Sequence, residues 1–133
     1  MKILIVDDEL VSRLKAQKIL SGHGECNVAV NGKEAIEAFD LASKDEKPYD
    51  LITMDIEMPD MNGIEALKLI REREESRSIQ LGDGVKIVML TGTKSSQSVL
   101  SSFNKGCEAY VVKPFDKEKI NSKLEELGFT AVP

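Results

Sequence analysis

The sequence predicts an α/β fold: a five-stranded parallel sheet in the order 2-1-3-4-5 with helices on both faces. Three observations carry that expectation. Short apolar runs alternate with stretches at helical spacing, five times along the chain. The apolar runs lack a strict polar alternation, as strands covered on both faces do. Right-handed crossovers between parallel strands then restrict the topology. A chain of 133 residues suits a single domain, 1–133, built on one sizeable core.

Residues 1–6 form the first apolar run and stop on Asp7-Asp8-Glu9. Residues 10–20 predict a helix, with Gln17 interrupting the apolar stripe and Gly22 and Gly24 ending it. Residues 26–30 are a second strand, and Asn31-Gly32 turns or caps the chain into a helix burying Ala35, Ile36, Phe39 and Ala42. After a polar connector at 44–50 comes the central strand, Leu51-Ile52-Thr53-Met54-Asp55, and a loop marked by Pro59, Asp60, Asn62 and Gly63. A helix from about Gly63 turns Ile64, Leu67 and Ile70 inward, and residues 72–84 read as a long polar loop. Strand four, 85–90, ends in Thr91-Gly92-Thr93. A serine-rich helix with Val99, Leu100 and Phe103 follows, then strand five at 109–112, running into Lys113-Pro114-Phe115. The last helix, from about Asp116, buries Ile120, Leu124 and Leu127 and stops at Gly128.

Composition removes several function classes. Net charge is −5 and basic residues form no run, which argues against nucleic acid and a membrane surface as partners. The first residues are too short and too quickly acidic for a signal peptide, and no apolar run reaches the roughly 20 residues of a membrane span. The expected location is the cytoplasm. Cys26 and Cys107 begin opposite edges of the expected sheet, about 19 Å apart. A disulfide needs Cα atoms within about 7 Å, so both should be free thiols. His23, alone in a Ser-Gly-His-Gly turn, is expected as a plain surface residue.

In a parallel sheet every strand points to one edge. That edge should gather Asp7 and Asp8 from strand one, Asp55 from strand three, Thr91 from strand four and Lys113 from strand five. Each has an ordinary reading alone: cap pair, loop carboxylate, cap, surface cation. Together, three carboxylates repel, and either a pKa rises or a hard cation neutralises them. Oxygen donors favour Mg²⁺ (or Mn²⁺) over zinc. Three negative charges, a divalent cation and Lys113 sum to zero, a site able to accept a phosphoryl group. Asp55 is then the expected nucleophile, giving an acyl phosphate. Mg²⁺ would sit on Asp8, Asp55 and the Glu57 backbone carbonyl with Asp7 alongside, while Lys113 and Thr91 hold phosphoryl oxygens.

These pieces, Ile5-Val6-Asp7-Asp8-Glu9, Met54 through Gly63, Leu90-Thr91-Gly92 and Tyr110 through Phe115, resemble the receiver domain of two-component response regulators over about residues 2–127. The resemblance implies a flavodoxin-like fold and a single-domain, chemotaxis-regulator-like phosphoacceptor rather than an enzyme. It implies a phosphoryl donor, a phosphohistidine on a sensor histidine kinase or histidine phosphotransfer protein, and an unknown downstream protein target. It further implies a cis Lys113-Pro114 bond and a switch in which Thr91 moves toward the phosphoryl group and Tyr110 turns inward. That switch reshapes the face of the serine-rich helix, strand five and the last helix. Glu57 and Thr93 fall where the family tunes phosphate lifetime, and helix one, with Arg13 and Lys15, where it docks kinases. Gly92 stands where the family often has Ala. Five serines between 95 and 102 should make their helix intrinsically weak.

Competing readings are a haloacid-dehalogenase-type phosphohydrolase, a receiver-like binding module without phosphorylation, and a flavin carrier of the same topology. The first expects Asp-x-Asp after strand one, where this chain has Asp7-Asp8-Glu9. The second is opposed by the intact Asp8, Asp55, Thr91 and Lys113 set. The third lacks a flavin phosphate loop. A receiver cut from a longer protein stays open.

Overall fold

The computed structural model describes residues 1–80, 82–92 and 106–129. In chain order its elements are β1 (Lys2–Val6), α1 (Leu10–Leu20), β2 (Glu25–Ala29), α2 (Gly32–Lys44), β3 (Leu51–Asp55), α3 (Gly63–Ser76), β4 (Lys86–Thr91), β5 (Ala109–Val112) and α4 (Lys117–Glu126). The strands make one sheet in the expected order, β2-β1-β3-β4-β5, and every pairing is parallel. The serine-rich stretch and Thr93 lie outside the described residues.

Successive side chains leave a strand on opposite faces, so each central strand feeds two cores. Leu4, Val6, Ile52, Met54, Ile87 and Met89 pack with Ala35 and Phe39 of α2 and Leu67 and Ile70 of α3. Ile3, Ile5, Leu51, Val88 and Leu90 pack on the other face with Ala16 and Leu20 of α1 and Ile120 and Leu124 of α4. Burial on both faces is the reason these strands read as unbroken apolar runs. Thr53 interrupts the apolar run within β3. It is 1% exposed on the central strand, and its hydroxyl has no hydrogen-bond partner among the described residues.

Side-chain caps fix where three helices begin. Asn31 accepts from the Glu34 N–H at 2.8 Å, and Glu34 reaches back to the Val30 N–H at 3.0 Å. Asn62 and Glu65 form a reciprocal capping box at the start of α3. Asp116 accepts from the Lys119 N–H, and Gly128, with φ of 92°, ends the last helical turn. Helix α1 has no side-chain cap and buries only Ala16 and Leu20, which accounts for its untidy stripe.

Two expectations need correction. Residues 72–76 are not loop; α3 continues to Ser76. The charges in that stretch have tertiary partners: Glu74 is 4% exposed and bonded to Arg71, while Arg73 and Arg77 share Asp40. A run of charges reads as solvated loop only while those partners are unknown. His23 is not a plain surface residue either. Its Nε2 lies 2.8 Å from Asn121 Oδ1, tying the turn after α1 to α4. Cys26 and Cys107 are free, as expected. Among the described residues no helix is long and apolar enough to cross a membrane.

Candidate functional site

The parallel sheet delivers its chemistry to one edge. Asp7 follows β1, Asp55 closes β3, Thr91 closes β4 and Lys113 follows β5. The backbone carries Lys113 into place, since its N–H donates to the Thr91 carbonyl at 2.7 Å. Its ammonium then sits 3.0 Å from Asp7 Oδ2 and 3.5 Å from Asp55 Oδ2. Asp7 is fully buried and Asp55 only 5% exposed, whereas Asp8 faces solvent. Carboxylate oxygens of Asp7, Asp8 and Asp55 all lie within 4.8 Å of one another.

Local contacts hold these groups still. Asp7 Oδ1 accepts from the Glu9 N–H at 2.9 Å, and Arg13 Nη1 donates to the Asp7 carbonyl at 3.0 Å, bracing the turn between β1 and α1. At β3 the Gly63 N–H donates to the Ile56 carbonyl, and a Cβ on Gly63 would run into the Asp55 carbonyl oxygen. Only glycine lets α3 begin this close to the end of the strand. The Glu57 side chain is exposed, while its backbone N–H favours the ionised form of Asp55.

The electrostatics are unbalanced. Burial pushes the Asp55 carboxyl up to about 7, with the neighbouring Asp7 and Asp8 charges adding to it. Lys113 and the Glu57 N–H pull the other way and are outweighed. Burial acts to lower the Lys113 pKa, yet the hydrogen bond to Asp7 and the Asp55, Asp7 and Glu9 charges leave it raised. Lys113 therefore stays an ammonium, and Asp55 is held near the point of ionisation.

Three formal negative charges face one ammonium, and a divalent cation closes the difference. The oxygen-only donor set with an exposed member, Asp8, fits Mg²⁺, which keeps some of its water. The residues present therefore suit the expected ion.

The structure thus brings together Asp7, Asp8, Asp55, Thr91 and Lys113, with Glu57 beside them. Tyr110 lies on β5, 36% exposed. Thr93 lies outside the described residues. The Lys113–Pro114 peptide is cis, as the resemblance implied. Sequence reasoning gave Arg13 only a docking role and missed its bond to the Asp7 carbonyl. The signal was its position, one helical turn past Glu9, within reach of the strand end.

Comparison with known proteins agrees with this geometry. Residues 3–125 match the family model described as response regulator receiver domain. The chemotaxis protein CheY of Thermotoga maritima is 31% identical over 129 residues, covering 96% of this chain and 97% of that protein. CheY of Bacillus subtilis is 35% identical over 121 residues, 90% of each chain. Among solved structures, the CheX–CheY–BeF3–Mg²⁺ complex of Borrelia burgdorferi aligns with a TM-score of 0.80 at 26% identity, covering 96% of this chain and 88% of that one. A chain with this sheet, this acidic edge and these relatives belongs to the response regulator receiver domain family, the phosphoacceptor domains of two-component signalling.

Proposed function

We propose that Asp55 is the phosphoacceptor, and that the donor is a phosphohistidine on a sensor histidine kinase or histidine phosphotransfer protein in the cytoplasm. The observation that carries this is a buried carboxyl raised to about 7, with an ammonium 3.5 Å away and two further carboxylates beside it. A group so placed has little solvation to lose when it reacts, and a cation nearby for the charge that arrives.

An Asp55 carboxylate oxygen attacks phosphorus. The P–N bond breaks with its electron pair left on the imidazole, which departs neutral because its other nitrogen carries the proton. The product is an acyl phosphate on Asp55. Lys113 donates its N–H to one phosphoryl oxygen, and the Thr91 hydroxyl donates to another. Asp7, Asp8, Asp55 and the Glu57 carbonyl would hold Mg²⁺ (or Mn²⁺), which when bound offsets charge between carboxylate and phosphoryl oxygens. Water later cleaves the anhydride, and the residues at the family's lifetime-tuning positions, Glu57 and Thr93, set how long it lasts. The chain turns over no external substrate at steady state; its chemistry is on its own side chain.

Thr91 and Tyr110 form the proposed switch. With Tyr110 exposed on β5, an inward turn would change the surface that β5 and α4 offer to a downstream protein, a shift between two packings. Intact mass after incubation with acetyl phosphate tests the acceptor. One added phosphoryl group, dependent on Mg²⁺ and absent from Asp55→Asn, is expected. Equal labelling of the variant would move the acceptor elsewhere.

A further inference from the structure

The loop between β3 and α3 carries Glu57, yet few hydrogen bonds hold it. Gly63 pins its far end, and the Met61 N–H donates to the Pro59 carbonyl at 2.8 Å, with Asp60 at a φ of 67°. Beyond the Asn62–Glu65 capping box at the start of α3, the loop is also held by apolar packing. Met58 is 8% exposed, in the core under α2 and α3, and Met61 packs against the same core.

Met61 is seated on Gly32, the first residue of α2. A Cβ built on Gly32 would come within 2.9 Å of Met61 Cγ and Sδ and 3.0 Å of its Cβ. The crowding reaches the root of the Met61 side chain, so a rotamer change alone does not relieve it. Helix α2 cannot give way cheaply, because Asn31 and Glu34 cap its start from both directions. Gly32 is helical and buried, without the positive φ that demands glycine. Helix propensity alone would favour Ala there. What the missing Cβ provides is a seat for Met61.

We propose that Met61, seated on Gly32, is a positioning residue for the cation site: it holds the β3–α3 loop so that Glu57 presents its backbone to Asp55. Met61 lies on the same short loop as Glu57, which follows Asp55 by two residues and whose backbone N–H favours the ionised Asp55 carboxylate. A shift of a few tenths of an ångström at Met61 passes into that loop, because Gly63 is fixed against the end of β3. The inference rests on the proposed role of the Glu57 carbonyl.

The test uses Gly32→Ala, Met61→Ala and the double variant, with two readouts. Backbone amide resonances of Glu57, Met58 and residues 60–62 in metal-free protein report the loop, and calorimetric titration with Mg²⁺ reports the site. Gly32→Ala should shift the Glu57 amide and weaken Mg²⁺ about tenfold, the low end for residues that support metal ligands. Met61→Ala should weaken Mg²⁺ comparably, and the double variant no further, since one contact is removed either way. An unmoved Glu57 amide in Gly32→Ala overturns the seat. A moved amide with unchanged Mg²⁺ affinity overturns its link to the cation, as do additive losses. If the unaltered protein binds no Mg²⁺, the cation reading itself fails, a result distinct from either.

Discussion

Asp55→Asn should make the metal-free protein more stable at neutral and alkaline pH. The Asp55 carboxyl is raised from 3.8 to about 7, chiefly by burial. Each pKa unit corresponds to about 1.4 kcal/mol between the protonation states, so ionised Asp55 costs the folded state about 4 kcal/mol. The sign follows from which state holds the proton. Between about pH 4 and 7 the folded protein keeps a proton that the unfolded chain has released, so stability falls as pH rises, by about 1.4 kcal/mol per unit. Below the unfolded value both states are protonated and the cost vanishes; above the folded value it is complete. Asparagine mimics the neutral acid and keeps an oxygen for the Glu57 N–H.

Urea unfolding of both proteins in chelator, at several pH values from 4 to 8.5, reads the difference directly. The variant should match the parent near pH 4 and exceed it by about 4 kcal/mol at pH 8. Mg²⁺ should then close much of the gap, because binding at a hundred times its Kd stabilises the parent by about 2.7 kcal/mol. Asn offers a poorer ligand. A gap below about 1 kcal/mol at pH 8, or one that does not change with pH, would refute the claim that Asp55 is held against its ionisation.

Three further outcomes follow from other residues. Thr53→Val removes a buried hydroxyl without a partner among the described residues and should raise the urea midpoint, by about 1 kcal/mol in stability. Arg71→Ala leaves the buried Glu74 and the half-buried Glu108 without their cation and should cost about 3 kcal/mol by urea unfolding, partly restored by adding Glu108→Gln. Gly63→Ala forces α3 away from the Asp55 carbonyl; it should cost about 1–3 kcal/mol and slow labelling by acetyl phosphate.

The sheet order was legible because both faces of each central strand are apolar and helical stripes separate the strands. The acidic edge was legible for a related reason: parallel strands all end on one side, so Asp7, Asp55, Thr91 and Lys113 needed only correct strand ends to be brought together. What escaped depends on contacts between residues whose own character is ordinary. Arg71, Glu74 and Glu108 look like surface charges, and only the approach of α3 to the starts of β4 and β5 makes them a buried network. His23 is one hydrogen bond from Asn121, ninety-eight positions along the chain, and no spacing announces that. Gly32 and Met61 each have a sufficient local reason, a helix start and a loop residue, which conceals that one fits the other.

The two ends of the sheet show why one buried carboxylate cluster reads as structure and the other as a reactive site. At the end where strands begin, Arg71 meets Glu108 through 2.8 and 2.9 Å bonds and Glu74 at 2.6 Å. Its remaining donors reach the Gly106 and Val85 carbonyls. The carboxylates are also served by the backbone, Glu74 by the Val85 N–H and Glu108 by the Ile87 N–H. Burial raises the Glu108 pKa even so, but two carboxylates share one guanidinium and the geometry leaves little unmet. At the other end three carboxylates share one ammonium, whose Asp55 contact is a loose 3.5 Å. A closed network gains nothing from a ligand, whereas this edge carries a deficit that a divalent cation and a phosphoryl group can fill together. The sheet therefore concentrates its unmet charge where the strands end, and binding there can shift a population that the opposite end, already satisfied, would not feel.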